Sequence, residues 1–208
     1  MAGYRSVSKG SETEVTVNRS RFIGRCFPVK TEEEALTLLN GIRKQHWDAT
    51  HNCFAYRIGE AASVARFSDD GEPGGTAGMP IMEVLRSKEI TDVLVVVTRY
   101  FGGILLGAGG LVRAYSKSAA ETVSEAGLVE YVPAKLLTAV MDYSRYGSLE
   151  GYIRSAAQVQ NVEFAENIRM YLAVRQDEAR SFISEVTERS DGRCVPQVTG
   201  ETLLRQEI

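Results

Sequence analysis

The chain has only three cysteines, and Cys26, Cys53 and Cys194 lie far apart. That count and scatter exclude a disulfide framework and point to a reducing, cytoplasmic setting. Long apolar runs are missing as well. The longest, Val93–Val97, has five residues, far short of the roughly 18 that suggest a membrane span, and its length is that of a buried strand. The first seventeen residues contain no apolar stretch of the kind a secretion signal needs, so neither a leader nor a membrane partner is expected. An excess of positive charge is lacking too: 24 Lys and Arg stand against 27 Asp and Glu, a formal net charge of −3. Nucleic-acid binding would therefore need a local cationic patch, because the overall balance does not advertise it.

Familiar catalytic and nucleotide motifs are also absent. No Gly-x-Ser-x-Gly elbow and no His-Glu-x-x-His helix occurs, which removes the commonest hydrolase chemistries. A Walker loop fails because no lysine directly follows Gly107, Gly109 or Gly110; the dinucleotide fingerprint fails because Val112 stands at its last glycine position. His46, His51 and Cys53 are three candidate zinc ligands where four are wanted. His51 and Cys53 share one face of a strand about 6–7 Å apart, beyond direct hydrogen-bond reach for an acyl-transfer pair. A satisfied strand histidine is the reading this leaves for His51.

What is present, 44% hydrophobic and 25% charged residues in a chain of 208, suits one large or two small globular domains. Thr13–Lys30 reads as two strands around a polar turn at Asn18–Ser20. Thr31 with Glu34 forms a capping box, and Ala35, Leu38, Leu39 and Ile42 supply a helical apolar face. A strand over His51–Gly59, a long loop over Ser68–Pro80, a short helix over Ile81–Arg86 and a buried strand over Asp92–Thr98 follow. A helix starting near Gly109 then runs to about Ala126, stopped by Gly127. Beyond Pro133 the pattern is β-α-β-β-α-β, the ferredoxin-like order, with a hairpin turn at Ala165–Asn167. Domains of 1–131 and 134–208 are expected.

Two segments invite chemistry. Arg99–Glu121 leaves a strand, crosses Gly102, Gly103, Gly107, Gly109 and Gly110, and enters a helix. Free amides at such a helix start attract an anion, and Arg99, Arg113 and Lys117 add cationic groups, the last two four residues apart on one helical face. The competing account is tight strand–helix packing. In the loop, Asp69, Asp70 and Glu72 present three carboxylates that suit Mg²⁺. They suit equally well the turn chemistry set by Gly71 and Pro73.

Four stretches together, Ser20–Gly24 (SRFIG), His51–Gly59 (HNCFAYRIG), Phe67–Ile81 (FSDDGEPGGTAGMPI) and Val95–Ala119, resemble the YigZ/IMPACT family, whose signature Arg-aromatic-Phe-Gly-Gly-x-x-Leu-Gly is matched at Arg99–Gly107. The resemblance covers roughly residues 3–131, and the tail is similar to the small C-terminal domain of bacterial members. It implies an α+β protein of two domains, an N-terminal ribosomal-protein-S5-domain-2-like α/β fold followed by a ferredoxin-like βαββαβ domain. That pairing resembles the last two domains of the translocase elongation factor, which contact the ribosome, and the first fold is akin to the sugar kinases with their glycine-rich phosphate loop. Eukaryotic relatives carry an additional RWD module and restrain a starvation-responsive kinase; no residues remain for that module here, so kinase regulation is not expected. The family supplies no catalytic residues to carry over. The leading expectation is a binding protein that touches RNA, the ribosome or a translation factor, with Arg99, Arg113 and Lys117 on phosphate oxygens. The alternative is a Mg²⁺-dependent enzyme acting on a nucleotide or other small phosphate-bearing ligand, with Gly102–Gly110 as the cradle and Asp69, Asp70 and Glu72 as metal ligands or base.

Overall fold

A computed structural model describes residues 2–208, apart from the side chain of Glu60. A short strand β1 (Tyr4–Val7) bridges to Ile90 through Arg5. Strands β2 (Ser11–Val17) and β3 (Ser20–Pro28) form a hairpin whose two turn residues, Asn18 and Arg19, both have positive φ (45° and 66°). Paired left-handed residues match the right-handed twist of the flanking strands. Helix α1 (Glu32–Gln45) starts at Thr31, whose Oγ1 accepts from the Glu34 amide at 3.2 Å. The Glu34 carboxylate reaches past the cap to the Lys30 amide, 2.8 Å away, so the capping box is shifted by one residue.

Strands β4 (His51–Ile58) and β5 (Val64–Ser68), helix α2 (Gly78–Ser87), strand β6 (Val93–Tyr100) and helix α3 (Gly107–Ala126) complete the first unit's elements. The sheet order is β2-β3-β6-β4-β5, and every neighbouring pair is antiparallel. Alternation sorts the central strand β6 between two cores. Val93, Val95 and Val97 pack with α2 and α3 on one face; Leu94 and Val96 pack with α1 on the other. Because both faces are covered, β6 is apolar at every position from Val93 to Val97 and fully buried there. Each such side chain contributes about 1.5–3 kcal/mol on burial.

Backbone contacts divide the chain into a unit of Tyr4–Glu130 with Glu207–Ile208 and a unit built on Tyr131–Gln206. The long strand β7 (Leu128–Met141) enters the second unit, which continues with α4 (Tyr143–Ala156), β8 (Gln158–Phe164), β9 (Ile168–Arg175), α5 (Ala179–Arg189) and β10 (Gln197–Glu207). Its strand order, β10-β7-β9-β8, is that of a ferredoxin-like domain. Leu137, Met170 and Leu172 of the sheet pack against Leu149 and Ile153 of α4 and Phe182 of α5. The protein is thus α+β, with a ribosomal-protein-S5-domain-2-like first domain and a ferredoxin-like second one.

Two elements escape the sequence reading. β1 has four residues and β5 has the burial of an edge strand, without clean alternation. α3 begins at Gly107, two residues before the expected start.

Candidate functional site

The loop between β5 and α2 is organised by Asp69. Its carboxylate accepts from the amides of Gly75 (2.8 Å), Ala77 (3.0 Å) and Gly78 (2.8 Å) and so ties the loop to the start of α2. Burial works to raise this carboxyl, but the three amide donors outweigh it and hold it below the usual carboxylate range. Asp70 points elsewhere: Oδ1 meets Arg43 at 3.1 Å and Oδ2 accepts from the Asn52 amide at 2.7 Å. Glu72 turns inward, and its side chain is only 3% exposed. Its Oε1 accepts from Arg99 Nη1 (2.6 Å) and from the Tyr115 hydroxyl (2.8 Å).

The three carboxylates anticipated as a shared Mg²⁺ site therefore serve three separate protein partners. No group of three or more His, Cys, Asp or Glu suited to a metal ion occurs among the described residues. Turn chemistry accounts for Asp69, surface pairing for Asp70, and only Glu72 faces the interior.

The cationic residues separate in the same way. Arg99 is buried near the end of β6, with its guanidinium 5.4 Å from the rings of both Phe22 and Phe101. Nη1 is paired with Glu72, Nη2 lies 3.4 Å from Ser20 Oγ, and Nε–H is buried without a partner among the described residues. Arg113 and Lys117 are exposed on α3. Lys117 lies 3.8 Å from Glu121, whereas Arg113 reaches back along the helix, its Nη1 3.8 Å from the place a Cβ on Gly109 would take. The expected outward trio is thus a buried, ion-paired Arg99 and an exposed pair on α3.

The glycines also divide by role. At Gly102 a Cβ would stand 2.1 Å from the carbonyl carbon of Arg19, so the backbone passes the β2–β3 turn too closely for any side chain. Gly103 and Gly107 have φ of +82° and +69°; Gly107 turns the chain into α3 through the left-handed region. Gly110 packs against Leu106, and Gly109 faces open space beside Arg113. Leu106, at the N-cap of α3, offers no side-chain acceptor, and the first turn carries no acidic residue. The amides there are left for solvent or a ligand.

The glycine corner and the acidic loop line one cleft of about 360 Å³. One wall is His51, Glu72 and Pro73; the other is Phe101, Leu105 and the start of α3 at Gly107 and Ala108, with Arg99 also lining the space. His51 is its least expected member. Its Nδ1 lies 2.8 Å from the carbonyl oxygen of Asp70, which can only accept, so Nδ1 carries hydrogen. Nε2 then faces Glu72 Oε2 at 3.7 Å. Behind them Cys53 Sγ lies 2.9 Å from the Asp69 carbonyl and 3.4 Å from the Tyr115 hydroxyl. Burial pushes the Cys53 thiol up to about 12 and also raises the Tyr115 phenol. The period-2 pattern of β4 put His51 and Cys53 on one face, and that was the available signal. Tyr115 and Ser20 carried none.

A model described as the Impact N-terminal domain matches residues 18–123, which include every residue of this cleft. The chain belongs to the IMPACT family. A second model, described as a domain of unknown function (DUF1949), matches residues 140–193 in the ferredoxin-like unit. The chain is 42% identical over 191 residues to the IMPACT family member YvyE of Bacillus subtilis, across 91% of this chain and 88% of that protein. It is 29% identical over 179 residues to IMPACT family member YigZ of Escherichia coli, across 85% and 88%. A solved structure, described as that of a hypothetical protein, matches with a TM-score of 0.61 and 27% identity, covering 96% of this chain and 98% of its own. The family signature Arg99–Gly107 is the strand end and corner that form one side of the cleft.

Proposed function

We propose that this IMPACT N-terminal domain binds a small phosphate-bearing molecule, with the anionic group at the N-terminus of α3. The observation that carries this reading is that acidic loop and glycine corner share one cleft, lined by Arg99 and by the uncapped start of α3. Uncapped amides at Gly107 and Ala108 and the positive end of the helix dipole favour an anion at that point. The pairing of Arg99 with Glu72 holds the guanidinium in place in advance. The volume lies at the low end of the roughly 300–1,000 Å³ of small-molecule sites. No Mg²⁺ role is built on this cleft, because only one of the three loop carboxylates faces it.

Thermal denaturation of the full chain with inorganic phosphate, methyl phosphate and nucleotides tests the reading. A ligand at 100 times its dissociation constant stabilises by about 2.7 kcal/mol. Ala108→Asp places a carboxylate over the same amides, which α3 tolerates, and is expected to abolish the shift. Absence of any shift across the phosphate panel rejects the site.

A second reading, contact with RNA or the translation machinery, is favoured by exposed Arg113 and Lys117 on one face of α3. Three buried, unpaired cysteines support a reducing, cytoplasmic setting. No described helix is long and apolar enough to cross a membrane.

A further inference from the structure

Exposed apolar side chains gather at one end of the first unit's sheet. There β6 ends at Tyr100, β4 begins with His51 opposite Arg99, and β3 begins beside the Asn18–Arg19 turn. Trp47 is 84% exposed, Leu105 86% and Phe101 45%. Trp47 is the only tryptophan in the chain, and the fold makes almost no use of its area. A single exposed apolar residue is ordinary, but a group of them marks a contact surface. Both aromatic residues are fixed by their surroundings. His46 Nδ1 lies 2.9 Å from the Tyr100 hydroxyl, which donates to Asp48 at 3.1 Å, so the residues on either side of Trp47 are tied to the end of β6. The Phe101 amide donates to Thr50 Oγ1 at 3.0 Å, and the Arg99 guanidinium lies 5.4 Å from the Phe101 ring. Two cations flank this end. Arg19 is exposed on the turn whose backbone runs against Gly102, and Arg113 is exposed on α3 just past the glycine corner. Neither has an ion pair or a side-chain hydrogen bond among the described residues.

We infer that this end of the domain is a platform for single-stranded nucleic acid, with bases stacked on Trp47 and Phe101 and backbone phosphates on Arg19 and Arg113. This rests on the second reading above and adds to α3 the surface that receives the bases. Every base presents a planar face, so an exposed indole and an exposed phenyl ring accept a strand without reading its sequence. The bases of a duplex are stacked on one another already and have no free face to offer. Rings held in position in advance lose little freedom on binding. Leu105, which lines the same cleft as Phe101, adds apolar surface beside it. The net charge of −3 does not oppose this, because a local excess is enough. Glu14 cancels Arg21 at this end, which leaves Arg19 and Arg113 against Asp48. A lipid surface suits the site less well. Asp48 adjoins Trp47 and cannot follow the indole into hydrocarbon, whereas a base on the ring leaves that carboxylate in water.

The lone tryptophan reports directly on the contact. The full chain is titrated at low salt with oligouridylate and oligothymidylate of about ten nucleotides, with a duplex of the same length, and with phosphatidylglycerol vesicles. Both single strands are expected to quench Trp47 emission and to bind about tenfold or more tighter than the duplex. Trp47→Ser, followed by the anisotropy of a labelled strand, is expected to weaken binding about tenfold with an unchanged melting temperature. Arg19→Asn, which suits the positive φ of that turn, is expected to lower the salt slope of binding by about 0.7. Single strands that bind without moving Trp47 emission overturn the platform and leave the contact at α3 standing. Equal affinity for duplex and single strand overturns it as well. A blue shift of Trp47 on vesicles, with no response to either strand, assigns the surface to lipid and overturns the inference. Failure of every strand to bind overturns both the platform and the nucleic-acid reading beneath it.

Discussion

Arg99 Nη1 and Glu72 Oε1 meet at 2.6 Å, with side chains only 6% and 3% exposed, and this buried ion pair joins the end of β6 to the acidic loop. Both charges are almost wholly withdrawn from water, so each depends chiefly on the other. The Tyr115 hydroxyl and the flanking rings of Phe22 and Phe101 complete the enclosure. Breaking the pair on one side differs sharply from removing it whole. Arg99→Met is expected to cost about 3–5 kcal/mol, because Glu72 is left buried without its cation. Adding Glu72→Leu is expected to recover much of that loss. Urea denaturation of the single and double variants measures the coupling, and additive losses would show the two residues to be independent.

Gly102 and Gly109 lie seven positions apart in the same glycine-rich segment and are expected to respond oppositely to alanine. A Cβ at Gly102 collides with backbone of the β2–β3 turn, which cannot swing aside as a side-chain tip would. Gly102→Ala should destabilise by about 1–3 kcal/mol. At Gly109 the space is open and the backbone already helical. Gly109→Ala should stabilise by about 0.5–1 kcal/mol through lower unfolded-state entropy. Equal effects in thermal melts would contradict these assignments.

Asp69 links loop stability to acidity. A carboxyl depressed in the folded state adds stability above its unfolded value and loses it as pH falls through the folded one. The unfolded value is about 3.9, so the loss belongs to the acid side. Asp69→Asn should be less stable than wild type near neutrality, and the difference should shrink on acidification from about pH 6 to about pH 3. A gap that stays constant across that range would show that the three amides do not favour the charged form.

The exposed pair on α3 tests contact with nucleic acid. Arg113→Glu combined with Lys117→Glu is expected to abolish co-sedimentation with RNA or ribosomes at low salt while the fold stays intact. If both residues meet phosphates, neutralising substitutions should reduce the salt slope of binding by about 0.9 for each contact. Unchanged sedimentation would remove this face of α3 from any such contact.

Local pattern was enough for much of the architecture. Spacing of Ala35, Leu39 and Ile42 located α1, alternation and length located β6, and Gly127, with φ of +68°, ended α3 where its position implied. These features depend on residues within a turn or two of each other, and their periodicity is written in one dimension. The ferredoxin-like order followed from the same periods. β5 was missed because half-buried edge positions alternate weakly.

By itself the sequence determined most of the helices and strands and which of their residues face a core, and that glycine must stand where the backbone passes close or turns left-handed. Only the tertiary structure decided the partners: Arg99 with Glu72 across 27 residues, Tyr115 with the same carboxylate across 43, and His51 facing its second oxygen. Periodicity says which face a side chain takes, but not what the neighbouring element brings to meet it. That choice follows from how helices and strands pack once water has been excluded, when every buried charge must find its counterpart.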